Sequence, residues 1–217
     1  FTNYLLSETQ SIAIVPIVGL LSGFLPFFVI VYGIFKAVYK FKLHHHIIKS
    51  SILPKSFNGL KIVQLSDLHL GSFNSRFSKL EGAIEKINHL KADYIFITGD
   101  LVNNYAWELK GWQNIFNQLK ANKEKYAVLG NHDYGDYSKW ASPEEKKQNF
   151  EGIKQFYNDI VFKLLLNESK IVSEKNENIA IIGVENWGKP PFKQYGDLQK
   201  AMKNVKSIPF KILLSHD

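Results

Sequence analysis

The chain has 217 residues, 45% of them hydrophobic and 14% aromatic, enough for one packed domain plus an appendage, so disorder is not its default state. There is no cysteine, which excludes a thiol nucleophile, a zinc–thiolate knot and any disulfide framework. The net charge of +7 is spread over scattered lysines, several beside an apolar N-terminal stretch where anionic lipid head groups account for them, and no nucleic-acid partner is expected.

Residues 1–10 read as a short flank. Ser11 to Phe35 carries no charged residue and is dominated by Ile, Val, Leu and Phe, more than the roughly 20 apolar residues a membrane-spanning helix needs. Pro16 and Pro26 would break a helix in water, but membrane helices tolerate them. A cleavable signal peptide fits worse, because no basic residue precedes the run and the run is too long. Lys36, Lys40 and Lys42 come after it while Glu8 alone is charged before it, so the positive-inside rule puts the C-terminal part of the chain in the cytoplasm. Gly19 and Gly23 form a Gly-x-x-x-Gly pair that can bring two membrane helices close, although such pairs recur by chance. His44, His45 and His46 read as a solvated stretch, since adjacent side chains on an extended segment face opposite ways. Residues 36–59 make a connector, and a domain fills residues 60–217. The chain opens on Phe1 and closes on Asp217, so both ends are expected to be cuts in a longer protein.

In that domain the patterning predicts strand Lys61–Leu65, helix Phe77–Leu90, strand Asp93–Thr98, helix Trp107–Leu119 and strand Tyr126–Leu129. Leu80, Ile84 and Ile87, then Ile115, Phe116 and Leu119, supply helical spacing, and the strands are continuous apolar runs of the kind covered on both faces. A charged helix covers Pro143–Tyr157. Two strand regions come next, Phe162–Leu166 with Ile171–Ser173, and Ile179–Val184 after a polar turn at Asn176–Asn178. Asp197 can N-cap a short helix reaching Val205, and a last strand, Phe210–Leu214, runs into His216.

Four of these strands end on a metal-type ligand. They lead into Asp67-Leu68-His69, Gly99-Asp100, Gly130-Asn131-His132-Asp133 and Ser215-His216-Asp217. Ligands of α/β sheets gather at the carboxyl ends of strands. Carboxylate, amide oxygen and imidazole together, without thiolate, suit borderline divalent ions such as Mn, Fe or Zn. Asp67 and His69 can turn to one ion, the two oxygens of Asp100 can bridge two, and Gly99 and Gly130 allow the backbone to turn close to the site. Two ions about 3.5–4 Å apart can clamp a phosphate and acidify a bridging water. Taken singly, Asp67 reads as a helix cap, Asp100 as a turn carboxylate and His132 as a loop histidine; helix caps do not explain the four together.

These residues resemble the calcineurin-like metallophosphoesterase family, whose pattern is Asp-x-His, Gly-Asp-x-x-Asp/Asn, Gly-Asn-His-Asp/Glu, a single His, then Gly-His-x-His. Matching positions are Asp67 and His69, Gly99-Asp100 with Asn103, Gly130-Asn131-His132-Asp133, and His216. The resemblance covers Leu60 to Asp217. It implies a layered sandwich of β-sheets flanked by helices and a site with two divalent metal ions. Asp67 and His69 would bind one ion, Asn131 and His216 the other, and Asp100 both. His132 would contact the phosphate and assist the leaving group, with Asp133 and Asn103 as candidates to position it. The Gly-His-x-His motif is absent after His216, so this chain alone is expected to bind metal weakly and hydrolyse little.

The segment Tyr134–Tyr195 holds Tyr134, Tyr137, Trp140, Trp187 and Phe192, a candidate wall over the metals, with Asn186 or Trp187 facing the substrate. A membrane helix joined to such a domain resembles bacterial inner-membrane members of the family, some of which cleave a UDP-linked diacylated sugar in lipid A synthesis. The expectation is a membrane-anchored phosphoesterase acting on a phosphate-ester substrate, lipid- or UDP-sugar-linked. The alternative from another class is a non-catalytic membrane scaffold that keeps the fold. A phospho-aspartate phosphatase fits worse, since it wants a second Asp where His69 stands. A dinucleotide-binding protein lacks the Gly-x-Gly-x-x-Gly turn after the first strand.

Overall fold

The computed structural model describes residues 8–73 and 76–216; residues 1–7 of the expected flank, and Asp217, lie outside them. It divides into two compact units, Phe1–His46 and Ile47–Asp217.

In the first unit, α1 (Glu8–Phe35) runs as one helix through Pro16 and Pro26. Its Pro16–Phe35 portion has a mean hydropathy of 2.3 and no burial. Twenty residues at about 1.5 Å each give roughly the 30 Å of a bilayer's hydrocarbon core. The helix is therefore long and apolar enough to cross a membrane.

The second unit is a sandwich of two sheets. Strands β1 (Ile62–Leu65), β2 (Tyr94–Thr98), β3 (Glu124–Val128) and β4 (Lys163–Leu164) form a parallel sheet in that order. Helix α2 (Ser78–His89) links β1 to β2 and α4 (Pro143–Asp159) links β3 to β4. Strands β5 (Glu168–Glu174), β6 (Glu177–Gly183) and β7 (Lys211–Leu214) form the second sheet, a β5–β6 hairpin with β7 parallel to β6. Tyr94, Phe96, Tyr126 and Val128 of the first sheet pack with Leu165, Ile181 and Leu214 as the inter-sheet core. Strand alternation leaves Ile95 and Ile97 on the opposite face of β2, also fully buried. Behind the second sheet, Ala180, Ile182 and Val184 meet Ala201 and Val205, around α5 (Leu198–Met202).

Local chemistry explains where elements start. Ser142 caps α4 by accepting from the Glu145 N–H at 3.1 Å, with Pro143 at the first helical position. Asp197 caps α5 through the Lys200 N–H at 2.9 Å.

Three expectations change. The helix expected over Trp107–Leu119 is instead a 3₁₀ turn at Ala106–Leu109 followed by α3 (Gln113–Phe116). Gly111 between them has φ +87°, and a Cβ there would lie 2.6 Å from the Phe77 ring, which packs edge-on against Trp112. The apolar spacing is helical, but the left-handed glycine breaks the run. The stretch from Phe162 divides between the sheets: β4 ends at Leu164, the chain turns through Asn167 at φ +56°, and β5 starts at Glu168. Finally, β1 is covered on one face only: Ile62, 40% exposed, and Gln64 face outward while Val63 is buried.

The sheets close tightly at Gly183 on β6, where an added Cβ would collide with Leu165 and come within 2.9 Å of Val128 Cγ1. Gly183→Ala is expected to destabilise the protein by about 1–3 kcal/mol through overpacking, read as a lowered midpoint in thermal or urea unfolding.

Candidate metal centre

The centre is assembled from strand tails. Register places Leu65 of β1 beside Ile97 of β2, so the two strands end level. Pairing continues beyond them: the Asp67 N–H donates to Gly99 O at 3.1 Å, His69 N–H to Asp100 O at 3.0 Å and Leu70 N–H to Leu101 O at 2.9 Å. Asp67, His69 and Asp100 hold φ values of +54°, +43° and +55°. That left-handed region costs roughly 1–2 kcal/mol for an ordinary residue, and such strain concentrates at functional sites. The β3 tail comes equally close. A Cβ on Gly99 would stand 2.6 Å from Gly130 N and from His216 Nδ1, and one on Gly130 would strike the Asp100 carboxylate.

Asp100 is the hub, only 4% exposed. Its Oδ1 accepts from the His132 N–H at 3.0 Å, while Oδ2 faces His216 Nε2 at 3.3 Å and His69 Nε2 at 3.5 Å. Ligand atoms of Asp67, Asp100 and His216 lie within 4.8 Å of one another, and so do those of His69, Asp100 and His132. Asp100 belongs to both groups. Asp67 and His216 thus fall in one group and His69 and His132 in the other, around the shared carboxylate. Thr98 O accepts from Ser66 Oγ at 3.2 Å and from His216 Nδ1 at 2.8 Å, tying His216 and the β1 tail to one carbonyl.

Carbonyl oxygens only accept, so His216 carries a proton on Nδ1 and turns Nε2 to the centre. Fixing an imidazole from behind in this way is how metal-binding histidines are oriented. His132 is held likewise: its Nδ1–H donates to Asn103 O at 2.7 Å, leaving Nε2 at the half-exposed side of the site. Its ring lies edge-on to His69 at 4.9 Å. Oxygen and imidazole donors grouped around one buried carboxylate fit hard-to-borderline divalent ions.

The two candidate positioning residues, Asn103 and Asp133, act through the main chain. Asn103 supports His132 with its main-chain carbonyl, while its side chain exchanges a 3.3 Å contact with Ser72 Oγ. Asp133 does not bond the His132 ring among the described contacts. It is fully buried and accepts four backbone N–H groups: Leu101 at 2.9 Å and Val102 at 3.3 Å on Oδ1, Asp100 at 3.0 Å and Gly130 at 2.9 Å on Oδ2. The tails of β2 and β3 offer bare donors where their ladder ends, and this carboxylate is the acceptor within reach.

One residue that no motif pointed to, Glu108, and one from the expected aromatic wall, Tyr137, complete the surroundings. Buried Glu108 accepts the N–H groups of Asn103 at 2.7 Å, Asn104 at 3.0 Å and Tyr105 at 2.9 Å. The Tyr105-x-x-Glu108 spacing, that of a helix-capping carboxylate, was its available signal. Tyr137 receives a 2.8 Å hydrogen bond from Asn131 Nδ2, and its ring lies 4.7 Å from that of His132. Asn186 is 2% exposed and Trp187 41% exposed.

Electrostatics match the geometry. The Asp100 carboxylate, against some opposition from burial, pushes His216 up to about 9. Burial works to raise Asp100, but the hydrogen bond from His216 and the His132 N–H outweigh it and hold Asp100 below its ordinary range. Burial pushes Asp133 up to about 7 despite the Gly130 N–H, with Asp100 adding to the rise.

Residues 60–217 match the family model described as calcineurin-like phosphoesterase. A zebrafish (Danio rerio) protein named "Transmembrane protein with metallophosphoesterase domain" is 38% identical over 48% of this chain and 24% of its own length. The Bacillus subtilis "Uncharacterized metallophosphoesterase YkuE" is 39% identical over 42% of this chain and 32% of its own length. These matches therefore span a third or less of each relative. Among solved structures, an NAD nucleotidase from Haemophilus influenzae superposes with a TM-score of 0.46 at 17% identity, over 72% of this chain and 34% of its own.

Asp133→Asn keeps the shape but turns an amide NH₂ onto two N–H donors. It is expected to cost about 3 kcal/mol, seen as a fall of roughly 10 °C in melting temperature. A second expectation concerns pH in metal-stripped protein. His216 is raised, so its contribution to stability is full below 6.5 and lost as pH rises through about 9. Asp100 is lowered, so its contribution is present above 3.8 and lost as pH falls through its folded value. The melting-temperature difference between wild type and His216→Gln should peak between those limits and shrink above pH 9. A constant difference across that range would refute the pairing.

Proposed function

This chain belongs to the calcineurin-like phosphoesterase family, and we propose that it is a membrane-anchored hydrolase of phosphoric esters working with two divalent metal ions, Mn, Fe or Zn. The observation that carries this reading is the buried Asp100 carboxylate shared by two three-donor groups. In the proposal Asp67, His69, Asn131 and His216 hold the ions, with Asp100 common to both. When bound, such ions supply Lewis-acid polarisation of the phosphate and an acidified water.

The protein's own residues account for the rest. A water oxygen forms a bond to phosphorus as the bond from phosphorus to the leaving oxygen breaks. The water's surplus proton passes to solvent, and His132 gives the leaving oxygen a proton from Nε2. Because Nδ1–H already donates to Asn103 O, Nε2 is the ring nitrogen left to serve the leaving oxygen. General-acid help of this kind contributes about 10²–10⁴-fold. Glu108 and Asp133 keep the backbone under these groups fixed.

Membrane anchoring is supported by the length and apolarity of α1 and by the word "transmembrane" in the name of the zebrafish relative. With residues 60–217 as the hydrolase domain, the substrate class we favour is a lipid- or UDP-sugar-linked ester, for which a tether to the bilayer has a purpose.

With manganese present, the full-length protein in detergent is expected to hydrolyse a generic phosphodiester, and Asp100→Ala to abolish this and lower metal content. His132→Ala should cut turnover by about 10²-fold or more with metal content retained. Loss of bound metal in that variant would show that His132 is a ligand instead.

A further inference from the structure

On the His132 side of the centre two large aromatic rings stand in solvent. Tyr137 is 46% exposed and lies 4.7 Å from the His132 ring at a tilt of 38°. Phe192 is 56% exposed and meets Tyr137 edge-on at 6.1 Å. Their chain segments lie 55 positions apart in sequence, yet they are tied together immediately beside the rings. Asp136, next to Tyr137, accepts from Lys193, next to Phe192, at 3.2 Å, from Tyr195 Oη at 2.6 Å, and from Lys146 of α4. The Tyr195 ring stacks on Tyr134 at 3.7 Å and 5°. Asn131 anchors Tyr137 at its hydroxyl. Exposed apolar rings held in one place by an ion-pair and hydrogen-bond lattice are costly to keep unless something covers them.

We propose that Tyr137 and Phe192 form a stacking platform for the leaving group, so that, among lipid- and UDP-sugar-linked esters, the preferred substrate is one whose leaving group carries a flat unsaturated ring. The inference rests on the phosphoesterase reading. His132 protonates the leaving oxygen, so the leaving group departs beside His132 and meets Tyr137 first. Stacking needs a planar π-face, which distinguishes the platform from a merely greasy wall. Tyr137 and Phe192 are specificity-determining residues here and take no part in proton transfer.

The test compares two ligands of equal bulk, phenylethyl phosphonate and cyclohexylethyl phosphonate, which the enzyme cannot hydrolyse at the carbon–phosphorus bond. Dissociation constants are measured on the full-length, metal-loaded protein, alongside kcat/KM for the corresponding phosphate esters. Wild type should favour the phenyl compound by about three- to tenfold. Phe192→Ala, at an exposed position, should bring the ratio close to one, and Phe192→Trp should preserve it. Equal binding of the two phosphonates by wild type would overturn the platform, as would an unchanged ratio in Phe192→Ala. Failure of wild type to hydrolyse any ester would sink the phosphoesterase reading and the platform together. Hydrolysis without the phenyl preference would sink the platform alone.

Discussion

The Asp133 carboxylate, with no exposure to water, holds two strand tails by their backbones, and the centre depends on that grip. A buried charge is tolerated only when its hydrogen-bonding capacity is met, and here each oxygen has two N–H donors. The donors come from Asp100, Leu101 and Val102 after β2 and from Gly130 after β3, so the same bonds that satisfy the charge set the separation of the two tails. That arrangement leaves a carboxyl proton no acceptor. Although burial favours the neutral acid, the geometry favours the anion. Asp100 therefore sits beside a second negative charge, and the pocket around it is built to attract positive charge, whether His216 with two protons or a metal ion.

The second sheet matters as much as the first. Three of the four ligand-bearing tails leave the parallel sheet, but His216 comes after β7, which pairs with β6 across the sandwich. Its position thus requires the inter-sheet core of Tyr94, Phe96, Val128, Ile181 and Leu214 to close. Sheet packing delivers the imidazole, and Thr98 O then orients it. Folding and site assembly are one event at this residue.

Much of this was legible in the residues. Strand ends carrying Asp67, His69, Asp100, Asn131 and His216 announced themselves because an apolar run leads into each, with a turn glycine directly before Asp100 and Asn131. What the spacing hid was direction. Asp133 directly succeeds His132, and nothing in a linear pattern separates a carboxylate aimed at a neighbouring ring from one aimed at bare N–H groups 30 residues away. Glu108 was hidden for the same reason, inside a stretch whose apolar periodicity reads as one helix. Gly111 is the exception that composition offers, and its left-handed φ, matched to the approach of Phe77, decides against that helix. Tyr137 and Phe192 had a place in the expected aromatic wall, but their pairing depends on which loops the lattice around Asp136 brings together.

That lattice reaches further than the two rings. Asn167, at the crossing from β4 to β5, donates to Glu185 Oε2 at 2.6 Å and to Tyr195 O at 2.9 Å, and accepts from the N–H groups of Glu185 at 3.2 Å and Asp197 at 2.7 Å. All four hydrogen-bonding positions of its amide are used. Glu185 in turn accepts from the Tyr134 hydroxyl at 2.9 Å, and Tyr134 stacks on Tyr195. The loop after β3, the sheet crossing and the segment before α5 are thereby one hydrogen-bonded body. A residue with no chemistry of its own, seated at φ +56° in a turn, fixes where the segment carrying Phe192 can lie relative to His132. Substitutions at Asn167 or Glu185 would act first on the shape of the substrate side of the centre, because their bonds run to Tyr134, Tyr195 and Asp197, whereas Asp67, Asp100 and His216 are held through Gly99, Asp133 and Thr98.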